Sequence, residues 1–82
     1  MNMYRTPQGR HYKLTKHARN RMTQRQISKQ DIERVLDSRH TSYCDIRGNL
    51  CLVGDSESGK QLKLVIAKDS DPAEIITLVT LD

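Results

Sequence analysis

The chain has 82 residues, 35% of them hydrophobic, with no Trp or Phe and three Tyr, so one domain with one small core is expected, drawing on nearly every Leu, Ile and Val. No run approaches the ~18 apolar residues of a membrane span, and the opening Met-Asn-Met-Tyr-Arg-Thr-Pro has no apolar leader segment, so a cytoplasmic protein without membrane contact is expected. The net charge of +4 is unevenly spread: residues 1–40 hold ten Lys or Arg against three acids, whereas residues 41–82 hold four against seven. A half of one sign concentrates a polyanion near it, so RNA, another polyanion or an acidic protein is the partner class that the charge suggests.

Taken in order, residues 1–9 are polar and contain Pro7 and Gly9, and are expected as a loose arm, with residues 10–14 as a short extended lead-in. Thr15 is an N-cap candidate for a first helix through Arg25, with Leu14, Ala18, Met22 and Arg25 recurring at helical spacing as one narrow apolar stripe. Ser28 caps a second helix over residues 29–38, and Asp31 three positions on supplies the acid of a weaker capping box. Ile32, Val35 and Leu36 give that helix its core face, with Ile27 as the staple before it.

The period then changes from helical to two. Residues 41–47 and 50–54 flank Gly48-Asn49, a pair suited to a tight hairpin, in a register that sets Ile46 opposite Cys51 and Cys44 opposite Val53. Residues 61–68 alternate, with Leu62, Leu64 and Ile66 on one face and Lys63, Val65 and Ala67 on the other. Residues 74–81 are apolar on both faces and are expected at the centre of the sheet. The expected fold is α+β: two N-terminal helices packed on one face of a four-stranded antiparallel sheet, in a single domain over residues 1–82.

The residues with chemistry cluster on the first helix. His17, Arg21 and Arg25 stand four apart and share one edge. An imidazole moves protons near neutral pH, and a guanidinium grips a phosphate with two parallel hydrogen bonds. Metal-independent RNA cleavage needs a base, a phosphate clamp and an acid, so His17 is the proton-transfer candidate and Arg21 and Arg25 are the clamps. Lys63, Thr77 or Thr80 would complete such a set from the sheet, and Lys13, Lys16, Arg19 and Lys63 are the further candidate RNA-binding cations. The competing reading makes His17 a buried or half-buried structural ring hydrogen-bonded to backbone, with Arg21 or Arg25 paired to Asp31, Asp37 or a loop acid. No Cys-x-x-Cys or His-x-x-x-His spacing joins Cys44, Cys51 and the three histidines, so neither a metal site nor a cofactor is expected. The loop Gly54-Asp-Ser-Glu-Ser-Gly-Lys60 lacks the ending of a phosphate loop and precedes a strand, which reads as a plain hairpin connection.

The run His17-Ala18-x-x-Arg21-Met22-x-x-Arg25-x-Ile27-Ser28, followed by an acidic amphipathic helix, resembles the signature of a bacterial domain family of unknown function grouped with RelE-like toxins in the barnase–EndoU–colicin–RelE superfamily. The resemblance implies a compact ribonuclease-like fold, a toxin of a toxin–antitoxin pair or a mobile-element protein, an acidic antitoxin as partner, and His17, Arg21 and Arg25 as the working residues. RelE-like toxins often carry catalytic cations or rings on the sheet near the C-terminus. Here the last strand, Ile-Ile-Thr-Leu-Val-Thr-Leu-Asp, has neither. A non-catalytic binding or inhibitor module of phage or mobile-element origin, docking by its basic face on nucleic acid or an acidic protein, is therefore the alternative expectation.

Overall fold

The computed structural model describes residues 3–38 and 40–81. In chain order the elements are β1 (Met3–Arg5), β2 (His11–Leu14), α1 (Lys16–Arg25), α2 (Lys29–Asp37), β3 (Thr41–Cys44), β4 (Leu50–Asp55), β5 (Gln61–Ile66) and β6 (Ala73–Thr80). The strands form a six-stranded sheet in the order β1-β2-β6-β5-β4-β3. Neighbours are antiparallel except β2, which runs parallel to β6.

The α+β class stands, but the four-stranded antiparallel sheet does not: the sheet is six-stranded and mixed. The two added strands come from the segment expected as an arm and lead-in, of which Met1 and Asn2 lie outside the described residues, as does Arg39 after α2. A three-residue and a four-residue strand are too short to print an alternating pattern. Their turn closes by main-chain bonds from Thr6 to Arg10 (2.8 Å) and Gly9 to Thr6 (2.9 Å), with Gly9 at φ +89°. The partner of β2 is about sixty residues away, with Tyr12 facing Ala73 and Leu14 facing Ile75. Nothing local to residues 10–14 announces a partner so distant in sequence.

The core lies between the helices and one face of the sheet. Ala18, Ile32, Val35 and Leu36 from the helices meet Tyr12, Leu14, Leu52, Leu62, Leu64, Ile66, Ile75 and Leu78 from the strands in one buried cluster. Each large aliphatic side chain there contributes roughly 1.5–3 kcal/mol by leaving water. The register shift at Val65/Ile66 lets β6 turn both Ile75 and Leu78 inward, although they stand three apart, while Thr77 pairs with Val65 on the far side.

Two devices pin the helices. The Ser28–Asp31 capping box is complete, with Asp31 Oδ2 accepting from the Ser28 amide (3.0 Å) and Ser28 Oγ from the Asp31 amide (3.1 Å). The other carboxylate oxygen of Asp31 accepts from the Ser58 amide (3.1 Å), which ties the β4–β5 loop to the start of α2. Burial pushes the Asp31 carboxyl up, but these donors outweigh it and hold the group below the ordinary carboxylate value. Tyr12 reaches from the sheet to α2, its hydroxyl donating to Glu33 Oε2 at 2.7 Å. Burial, and then the Glu33 carboxylate, push that phenol far above its usual pKa.

The hairpin after α2 also departs from expectation. Asp45 Oδ1 accepts from the amides of Arg47 (2.9 Å) and Asn49 (2.8 Å), and the Asp45 amide donates to the Asn49 carbonyl (2.9 Å). This carboxylate builds a longer loop than the two-residue turn on Gly48-Asn49. The register moves accordingly: Cys51 faces Tyr43 and Cys44 faces Leu50. One thiol is buried and the other exposed, on opposite faces, and both are free.

Candidate nucleic-acid interface

The start of α1 is fixed to the middle of β6. The Thr15 amide donates to the Ile75 carbonyl (3.1 Å) and its hydroxyl to the Ile76 carbonyl (2.7 Å), while the same oxygen accepts from the Ala18 amide (3.1 Å) as the N-cap. Past this anchor α1 buries little. Ala18 is its one fully buried residue, and Met22 packs partly against the core. The helix ends in a left-handed cap at Gln26 (φ 56°), with the Ile27 amide returning to the Met22 carbonyl (2.9 Å), the pattern of a Schellman ending.

A helix held by so narrow a stripe turns the rest of its circumference to water. Lys16, His17, Arg19 and Arg25 are exposed and Arg21 is half-buried. The four-residue spacing of His17, Arg21 and Arg25 sets them along one edge. No hydrogen bond holds the His17 ring among the described residues, whereas His40 does bond to backbone carbonyls. No acid lies within α1, and the ion pair among the described residues is Arg10 with Asp37 (3.6 Å), away from this helix. The α1 cations therefore stand uncompensated by neighbours, which suits the capture of an anionic chain.

The remaining candidate residues lie elsewhere. Lys63 sits between the core residues Leu62 and Leu64, and Lys13 between Tyr12 and Leu14, so both project from the sheet face opposite the helices. Thr77 shares that open face through its pairing with Val65, whereas Thr80 pairs with Leu62 on the helix side. The sheet thus separates Lys63 and Thr77 from the α1 edge, and the expected set does not meet in one place.

Lys63 has its own partner. Its ammonium stands 5.6 Å from the centre of the Tyr43 ring, and the Tyr43 hydroxyl, as its strongest neighbour, holds the Lys63 pKa above the ordinary value. The sequence reading missed this pair. Its signal was the hairpin register, which places Tyr43 and Lys63 on the same face only once Asp45 sets the loop. On the helix side, Lys29 lies over Tyr4 (4.7 Å), and Tyr4 packs on Tyr12 with ring centres 5.5 Å apart. Two of the three tyrosines are therefore occupied in packing, while Tyr43 is 44% exposed. Among the described residues no group of three His, Cys, Asp or Glu converges as a metal site, and no helix is long and apolar enough to cross a membrane.

A family model described as Domain of unknown function (DUF4258) matches residues 14–80, and the chain belongs to that family. The match starts at Leu14, just before α1, and runs through β6. No curated protein and no solved structure gives a significant match.

Proposed function

We propose that this DUF4258 domain docks on RNA through the outward edge of α1. The observation that supports this reading is the uncompensated charge of that helix. Lys16, Arg19 and Arg25 are exposed beside His17 and Arg21, with no acid within the helix and no ion pair to it among the described residues. Guanidiniums at helical spacing match successive phosphates, and such contacts make binding fall steeply with salt. The test is fluorescence anisotropy with a single-stranded RNA at several salt concentrations. Expected is saturable binding whose salt slope shrinks when Arg21 and Arg25 are both replaced by Ala. Absence of binding at low salt, or binding unaltered in the double variant, removes the proposal and turns attention to an acidic protein as partner.

A second reading adds chemistry to docking: a RelE-like, metal-independent ribonuclease, acting in the cytoplasm as a toxin beside an acidic antitoxin. It is favoured by one feature, an exposed imidazole one helical turn from a guanidinium, with no internal hydrogen bond to its ring among the described residues. Against it stands the placement of Lys63 and Thr77 across the sheet, which leaves His17 without an acid partner from those positions. RNA incubated in EDTA with clean wild type and with His17→Ala separates the two. Cleavage lost in the variant supports the ribonuclease. No cleavage, or equal cleavage by both, leaves docking alone.

A further inference from the structure

At the end of the sandwich away from α1, the two layers part into a cavity of about 340 Å³. Its floor is Leu36 of α2 with Leu52 of β4 and Ile66 of β5, all members of the core cluster. Leu50 and Ala73 extend the apolar wall to the mouth, where Leu50 is 37% exposed. The polar groups at the rim are Arg10, His11, His40 and Ser42, and among the described residues no acid lines the space. The volume falls at the lower end of the range for small-molecule pockets.

The rim is not a loose collection of surface cations. His40 Nδ1 lies 2.8 Å from the Val35 carbonyl and 2.9 Å from the Ser38 carbonyl at the end of α2. Carbonyls only accept, so Nδ1 carries the hydrogen and the ring is fixed in orientation; Nε2 donates to an anionic ligand in the imidazolium form, when it too is protonated. Arg10 is steadied through Nε, 3.6 Å from Asp37, while its side chain is 62% exposed. Beside the carboxylate that it already faces, the guanidinium keeps two terminal nitrogens with which to grip an oxyanion.

We propose that this cavity is a binding site for a small amphipathic anion, with a carboxylate head at Arg10 and His40 and an aliphatic body against Leu36, Leu52 and Ile66. The Arg10 guanidinium selects the head: Asp37 faces it through Nε, and among the described residues no acid lines the cavity itself. The floor selects the body, since a hydrated inorganic anion would leave these aliphatic side chains facing water. The site is separate from the α1 edge and does not rest on the RNA reading.

The test uses methyl-detected NMR of the full chain titrated with octanoate, and in parallel with octylammonium, which keeps the chain and reverses the charge. Expected are saturable shifts of the Leu36, Leu52 and Ile66 methyls with octanoate at low millimolar concentration, and binding at least about tenfold weaker with octylammonium. Arg10→Gln should weaken octanoate by about threefold or more. Ser42→Leu narrows the mouth from an exposed edge-strand position, and Ala73→Leu narrows it from the opposite wall; a folded variant of either kind should lose the shifts. No saturable shift at these methyls, equal binding of the two amphiphiles, or octanoate binding retained in a folded mouth variant would each overturn the proposal. The comparison of amphiphiles on the wild type decides even where a variant fails to fold.

Discussion

The two helices of this domain are nearly the same length and lie on the same sheet, yet they do opposite things. The nine residues of α2 bury four side chains, Asp31, Ile32, Val35 and Leu36, and its first turn is locked by a complete capping box. The ten residues of α1 bury only Ala18. The difference begins in sequence. Lys-Gln-Asp-Ile-Glu-Arg-Val-Leu-Asp concentrates its aliphatics on one side, while Lys-His-Ala-Arg-Asn-Arg-Met-Thr-Gln-Arg has two apolar residues and spreads cations over the remainder. In a small domain, a helix that gives so little to the core is the one whose surface is open to other work. The comparison teaches where to look for function: on the helix whose sequence does not explain itself by packing.

The sharpest way to break this comparison is to remove one aliphatic side chain from each helix. Ile32 is fully buried, and Ile32→Ala should cost about 3 kcal/mol in urea unfolding, a large share of the few kcal/mol that hold a domain of this size. Met22 is only half-buried, and Met22→Ala should cost about 1 kcal/mol. Equal costs would mean that α1 is as much a part of the core as α2.

Asp31 comes next, since it joins the cap of α2 to the β4–β5 loop through three hydrogen bonds. Asp31→Ala strands the Ser28 and Ser58 amides and should cost about 2 kcal/mol at neutral pH. The pH dependence carries a definite sign. The folded-state pKa lies below the ordinary value, so this stabilisation is fully present above the unfolded pKa near ~3.9 and is lost as pH falls through the lower folded value. Wild type should therefore lose stability more steeply than Asp31→Ala below about pH 4. Parallel curves would show that the carboxylate is not held as described.

A smaller effect, of opposite sign, is expected at the end of α1. Gln26 occupies the left-handed region at φ 56°, where a side chain is disfavoured and glycine is not. Gln26→Gly should stabilise by about 0.5–1 kcal/mol, read as a rise in Tm. Destabilisation there would mean that the Gln26 side chain contributes to the ending of α1.

What could be read from sequence follows the range of the interactions. Thr15 as a cap, Ser28 with Asp31, and the inward face of Leu62, Leu64 and Ile66 depend on residues a few positions apart, and each is found where expected. The hairpin failed on a single side chain: Asp45 competes for amides that a two-residue turn would have left alone, and the register of both cysteines moves with it. The mixed sheet failed on distance, because the parallel partner of Tyr12 and Leu14 lies in the last strand. The candidate site divides the same way. The α1 line is a local spacing and was legible. Which sheet face the helices would cover is a tertiary property, and it is what parts Lys13 and Lys63 from His17, Arg21 and Arg25.

The least visible change to the fold should give the most informative result for the function. Arg25 is exposed in the last turn of α1 and makes no ion pair among the described residues, so Arg25→Ala should shift unfolding by no more than about 0.5 kcal/mol. Its contribution to an RNA contact would nevertheless be one phosphate, so the slope of log affinity against log salt should shrink by about 1. Lys63→Ala is the matched control, since it removes one charge from the opposite face while the chain's net charge falls by the same amount. A slope reduced by Arg25→Ala and untouched by Lys63→Ala places RNA on α1, because a response to net charge alone would be the same for both. Equal reductions would mean that the anion follows the whole basic surface, and the contrast between the two helices would then describe packing and nothing more.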